Sequence, residues 1–145
     1  MADTIEKIVY FTKNLEDMIS KISRGVKVSV DTYYQPEYSN PMNSEFMFAY
    51  KINIENNNEF PIKLLSRHWY IYDSNGSMRE VQGDGVVGIQ PVIAPGNSYQ
   101  YVSGCNLRSE MGKMNGEYLI ENVHNKRTFD VIIPSFEMHA PFKMN

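Results

Sequence analysis

The chain has 145 residues, 42% hydrophobic and 21% charged, with 14 Lys and Arg against 17 Asp and Glu. A domain of this size buries roughly 70% of its unfolded surface and needs no staples, while the single cysteine, Cys105, excludes an intramolecular disulfide and a cysteine-built zinc cluster. A formal charge of -3 without a basic run argues against nucleic acid, and the absence of a long apolar stretch or of a signal-peptide core in MADTIEKIVYFTK argues against a membrane and for the cytoplasm.

The first 25 residues are patterned unlike the rest. Ile5, Ile8, Thr12, Leu15, Ile19 and Ile22 recur at steps of three and four, which lines one face of a helix. Asp3 with Glu6 resembles a capping box, and Lys21, Arg24 and Gly25 suit a helix C-terminus. The spacing therefore predicts a helix over 4–23, forming an N-terminal extension over 1–25 ahead of a main domain over 26–145. The helix has two roles open to it: covering an edge or face of the domain, or self-association through the stripe to give a homodimer.

From Val26 the period becomes two. Val26, Val28 and Val30 alternate with polar residues, as do Phe46, Phe48, Tyr50, Ile52 and Ile54. Further strands are expected over 62–72, 78–82, 98–105, 117–123 and 127–133. They are punctuated by Glu55-Asn56-Asn57-Asn58-Glu59, by the Asn75-Gly76 step and by a turn over 122–126. Seven short strands without strand–helix alternation predict an all-β fold, an antiparallel sandwich of the immunoglobulin or fibronectin type III kind with an N-terminal helix.

Gly83-Asp84-Gly85-Val86-Val87-Gly88 satisfies G-x-G-x-x-G, but a dinucleotide site needs a helix directly after it, and Pro91 with Pro95-Gly96 forbids one. Two readings are left: a tight loop that lets backbones approach, or a nest of N–H groups at Gly83, Gly85 and Gly88 that binds a small anion. Asp84 opposes the second. In Arg67-His68-Trp69 the alternation puts Arg67 and Trp69 on one face, either as core packing with the cation over the ring or as a recognition surface. His68, His124 and His139 form no metal-ligating pair in sequence, Cys105 has no local partner for nucleophilic chemistry, and Ser103-Gly104 lacks the nucleophile-elbow context. No catalytic residue, metal or cofactor is implied. Ten tyrosines suit both a sandwich core and a binding rim.

The strings Phe48-Ala49-Tyr50-Lys51-Ile52-Asn53-Ile54, Leu64-Leu65-Ser66-Arg67-His68-Trp69, Val81-Gln82-Gly83-Asp84-Gly85-Val86-Val87-Gly88 with Pro91, Tyr101-Val102-Ser103-Gly104 and Ile133-Pro134-Ser135-Phe136 resemble the ApaG domain family in order and spacing. The resemblance runs from about Val26 to the end. It implies a fibronectin type III-like sandwich, no catalytic activity, a link to cobalt and magnesium tolerance in bacteria, and protein interaction in eukaryotic relatives such as an F-box ubiquitin ligase subunit. The expected function is thus a non-catalytic binding module for a protein partner. The alternative is binding of phosphate, pyrophosphate or a nucleotide at the glycine loop.

Overall fold

A computed structural model describes residues 18–141. Within them run nine strands, β1 (Ile19–Ser23), β2 (Val26–Tyr34), β3 (Phe46–Asn56), β4 (Ile62–Asp73), β5 (Met78–Asp84), β6 (Val92–Ile93), β7 (Ser98–Leu107), β8 (Met111–Asn122) and β9 (Thr128–His139). Two 3₁₀ turns, Pro36–Tyr38 and Pro41–Asn43, interrupt the connection between β2 and β3. The strands make two antiparallel sheets, ordered β1-β2-β3-β7 and β5-β4-β8-β9, with β6 also paired to β4. Their inner faces share one core, as in a β-sandwich.

The helix expected over 4–23 is corrected where the structure describes it: residues 19–23 are strand β1, and residues 4–17 lie outside the described residues. Ile-Ser-Lys-Ile-Ser is a segment of β-branched and hydroxyl side chains, poor at holding a helix, and its three-residue Ile spacing is too short to decide a period. Gly25 does adopt the left-handed conformation expected of a helix stop, but together with Arg24 (φ 77° and 52°) it closes a two-residue hairpin in which Ser23 pairs with Val26.

Period-two alternation explains the first sheet directly. Val26, Val28 and Val30 of β2 and Phe46, Phe48, Tyr50, Ile52 and Ile54 of β3 are all buried. In the second sheet the alternation changes phase twice. Ile62 and Leu64 point inward at the start of β4, a bulge between Leu64 and Ser66 shifts the register, and thereafter Trp69 and Ile71 are the buried positions. In β9, Val131 and Ile133 give way to Phe136 and Met138 across an irregularity opposite Met114 and Gly116, where Pro134, which cannot donate to a ladder, is accommodated. Trp69 sits at the centre, its ring 5.4 Å from Tyr50 of the opposing sheet and 5.9 Å, edge-on, from Phe136.

The two open sides of the sandwich differ. On one, β1 packs along β9, and the Ile132 N–H donates to Ser23 Oγ at 3.2 Å. On the other, the edge strands β5 and β7 form no ladder, and the gap between them is bridged by a side chain, Arg79.

The far end is tied by Asn56, fully buried. Its Nδ2 donates to the Phe60 and Ile93 carbonyls, both at 2.9 Å, and its Oδ1 accepts from the Asn58 N–H at 3.0 Å. One amide thus satisfies one buried and two partly buried backbone groups that join the β3–β4 turn to β6. Asn56→Ala strands all three, and the expected loss is about 3 kcal/mol. Urea unfolding measures it; a loss under about 1 kcal/mol would contradict this role.

Candidate functional site

The glycine-rich stretch leaves β5 and turns back into β6 on the same edge of β4. At the tip, the Val86 N–H donates to the Ile89 carbonyl at 2.8 Å and the Ile89 N–H to the Val86 carbonyl at 3.1 Å, with φ of 46° at Val87 and 83° at Gly88. That is a two-residue hairpin of the I′ kind. Its base is fixed to the bulged segment of β4, where the Leu65 carbonyl accepts both the Gly85 N–H and Gln90 Nε2, each at 2.8 Å. Arg67 clasps it from the inner side: Nη1 donates to the carbonyls of Asp84 and Gly85, both at 3.0 Å.

Each glycine has its own reason. A Cβ at Gly83 would lie 2.8 Å from Arg67 Nη1, so the clasp needs a bare backbone there. At Gly85 (φ 60°) a Cβ would come within 1.9 Å of the Ile89 carbonyl oxygen, whereas Gly88 has open space and only its positive φ to satisfy. The amides of Gly85, Val86 and Ile89 are consumed inside the fold, which leaves those of Val87 and Gly88 at the tip. The loop therefore turns carbonyl oxygens toward Arg67 and offers no continuous row of N–H groups for an anion.

Beside the hairpin, between β4 and β5 on one side and β7 on the other, lies a cleft of about 260 Å³. Arg67, Trp69 and Arg79 line it from one sheet, Ser103, Cys105 and Asn106 from the other. Arg67 and Trp69 share a face as the alternation predicts, but Trp69 is only 2% exposed and belongs to the core, which corrects its reading as a surface recognition residue. Arg79 was not singled out by the sequence. The signal was available, since Arg79, Val81 and Gly83 alternate along β5 opposite Ile71, Trp69 and Arg67, but only once the register of β5 on β4 is known.

Under Arg67 the phenols of Tyr101 and Tyr118 hydrogen-bond to each other out of water. Burial raises both pKa values, and the nearby Arg67 cation acts in the opposite direction. Burial likewise pushes the Cys105 thiol up to about 11, against the attraction of Arg79. At neutral pH it is a thiol, not the thiolate that nucleophilic chemistry requires.

The histidines do not converge. His68 lies on the outer face of β4, 3.1 Å from Glu80 and 3.5 Å from Glu117, and stacks on Tyr70. His124 and His139 lie near opposite ends of the 12-residue strand β8, a rise of about 37 Å. Among the described residues no group of three His, Cys, Asp or Glu is placed to hold a metal ion, and no helix is long and apolar enough to cross a membrane.

The hairpin, its clasp and the β4–β8 ladder all fall within residues 36–122, the stretch matched by the sequence model of the ApaG domain. The chain belongs to the ApaG family. Over 124 residues it is 44% identical to Protein ApaG of Agrobacterium fabrum and 40% identical to that of Rhizobium meliloti, in both cases across 86% of this chain and 95% of the relative. A crystal structure from Bordetella pertussis, provisionally named an ApaA protein, is 40% identical and superposes with a TM-score of 0.77 over 81% of this chain and 95% of that one. A second solved relative, also 40% identical, gives a TM-score of 0.76 over 81% and 88%. The ApaG resemblance read from the sequence is thus established.

The three glycines predict an order of costs. Gly85→Ala drives a Cβ into a backbone oxygen at a positive φ and is expected to cost about 3 kcal/mol or more. Gly88→Ala meets no atom and is expected to cost about 1 kcal/mol. Thermal unfolding of the two variants measures both. Equal losses would mean that the loop is not held against Ile89 as described.

Proposed function

We propose that this ApaG family member is a non-catalytic binding module, of fibronectin type III-like build and cytoplasmic, whose protein partner engages the hairpin tip and the adjoining β5–β6 edge. The observation that carries this reading is Val87. A β-branched residue at φ 46° sits in a region that costs about 1–3 kcal/mol, and its side chain is 55% exposed. The I′ turn needs the positive φ but not an exposed β-branched side chain. Ile89, Val92 and Val81 are exposed along the same edge, at 48%, 59% and 37%. Val87, Ile89 and Val92 lie near the end of β5, a strand whose outer backbone edge has no partner among the described residues. β5 has no Pro, and an extended partner segment that adds there meets the charges of Arg79, Glu80 and Asp84 beside the apolar Val87, Ile89 and Val92.

A buried thiol with a raised pKa and histidines placed far apart support a non-catalytic role, and the unpaired cysteine suits a reducing compartment. The cobalt and magnesium link that the resemblance implies stays with the family; this reading assigns no metal ligand.

Val87→Asn separates partner binding from fold stability, because Asn-Gly is the favoured pair in an I′ turn. The variant is expected to raise the melting temperature by a few degrees, equivalent to about 1 kcal/mol. In affinity capture from the native cell it is expected to lose the protein that the unaltered chain retains. Capture of the same partner by both forms, or of no protein by the unaltered chain, would overturn the reading.

A further inference from the structure

The cleft between β5 and β7 carries charge that no carboxylate among the described residues neutralises. Arg67 and Arg79 both line it, and none of its lining residues is acidic. Neither guanidinium reaches a carboxylate among the described residues. Arg67 spends Nη1 on the Asp84 and Gly85 carbonyls, and Arg79 spends Nη2 on the Asn106 carbonyl at 2.6 Å and Cys105 Sγ at 3.5 Å. Each guanidinium has five N–H donors, so most remain. The acid that acts on Cys105 from behind, Asp73, already accepts from the Arg108 N–H at 2.6 Å and from the Ser109 hydroxyl. These unpaired cations stand out in a chain whose formal charge is -3.

The Trp69 ring lines the same cleft. Trp69 is 98% buried by its 2% exposure, yet its indole N–H has no acceptor. The volume sets the ligand's size. About 260 Å³ lies below the range of drug-sized pockets. It fits an anion with two linked charged groups.

We propose that this cleft is a binding site for a small polyvalent oxyanion, a compact phosphate or dicarboxylate, held between the Arg67 and Arg79 guanidiniums, with the Trp69 ring against it as a reporter. The site lies apart from the glycine amides and does not depend on the protein-binding reading above. Guanidinium forks match the paired oxygens of both anion types, with Arg67 half-buried and Arg79 exposed at the mouth of the cleft. The hairpin contributes indirectly: by occupying one Nη1 with two carbonyls it fixes the Arg67 guanidinium at the rim of the cleft.

The only tryptophan lies in the site, which gives a direct readout. In ¹H–¹⁵N spectra of the full chain, titration with sodium pyrophosphate and, separately, with sodium malonate is expected to move the single indole N–H signal saturably. Sodium chloride of matched ionic strength is expected not to. The tighter of the two arms identifies the anion as phosphate-bearing or carboxylate-bearing. Arg79→Gln is expected to weaken binding about tenfold. Arg79→Lys, which keeps the charge and loses the fork, is expected to weaken it less, and the melting temperature of each variant reports whether the fold is intact. No saturable movement of the indole signal at millimolar pyrophosphate or malonate would overturn the proposal. So would unchanged affinity in folded Arg79→Gln, or movement confined to the amides of residues 83–88.

Discussion

The bulge in β4 is the constraint on which the binding edge depends. β4 pairs with β5, β6 and β8, so a change of phase in this one strand is felt across the second sheet. Before the bulge, even-numbered residues fill the core; after it, odd-numbered ones do, and Arg67 is carried to the inner side with Trp69. The same irregularity frees the Leu65 carbonyl to accept Gly85 and Gln90, which roots the glycine hairpin between β5 and β6. Without the bulge, Arg67 would face solvent and could not clasp the hairpin, and the cleft would lose one of its two cations.

Arg67 is the link between packing and recognition. Its guanidinium touches the bare backbone at Gly83, bonds two carbonyls of the hairpin, and lies near enough to Tyr50, Tyr101 and Tyr118 to oppose the rise that burial imposes on their phenols. A cation held over neutral phenols and amide oxygens, with no carboxylate partner among the described residues, is the feature on which the proposed anion site rests. The glycine string that resembles a nucleotide motif is, in three dimensions, the means of bringing carbonyl oxygens close to that cation. Its resemblance to a phosphate loop is one of composition: Gly83 answers a side-chain contact, Gly85 a backbone contact, and Gly88 a turn dihedral.

Most of the sandwich was legible because half-buried strands alternate. Phe46 to Ile54 and Val26 to Val30 announce their inner faces without ambiguity. The pattern failed where something other than a hydrophobic side chain met the neighbouring strand. The first half of β8 was missed because Gly112 and Gly116 occupy it, and both are required by close neighbours: Leu107 and the Tyr72 carbonyl at one, the His68 carbonyl at the other. The second half of β9 was missed because Pro134 sits at an irregular register. β1 carries a helical expectation because Ile19 and Ile22, three apart, extend the stripe that runs from Ile5, whereas in the strand they point to opposite faces and both are exposed. At the site, the shared face of Arg67 and Trp69 followed from alternation, whereas the place of Arg79 and the burial of Trp69 needed the register of β5 and the crossing of the sheets.

The central claim, that the glycine stretch is a clasped hairpin and not an open anion nest, is tested most directly by amide hydrogen exchange at Gly85 and Val86. Both N–H groups donate to carbonyls of the folded chain, so their exchange is expected to be slowed to the level of neighbouring ladder amides in β4 and to quicken when Arg67 is replaced. Exchange at those two amides as fast as at an exposed turn, in the unaltered protein, would contradict the account.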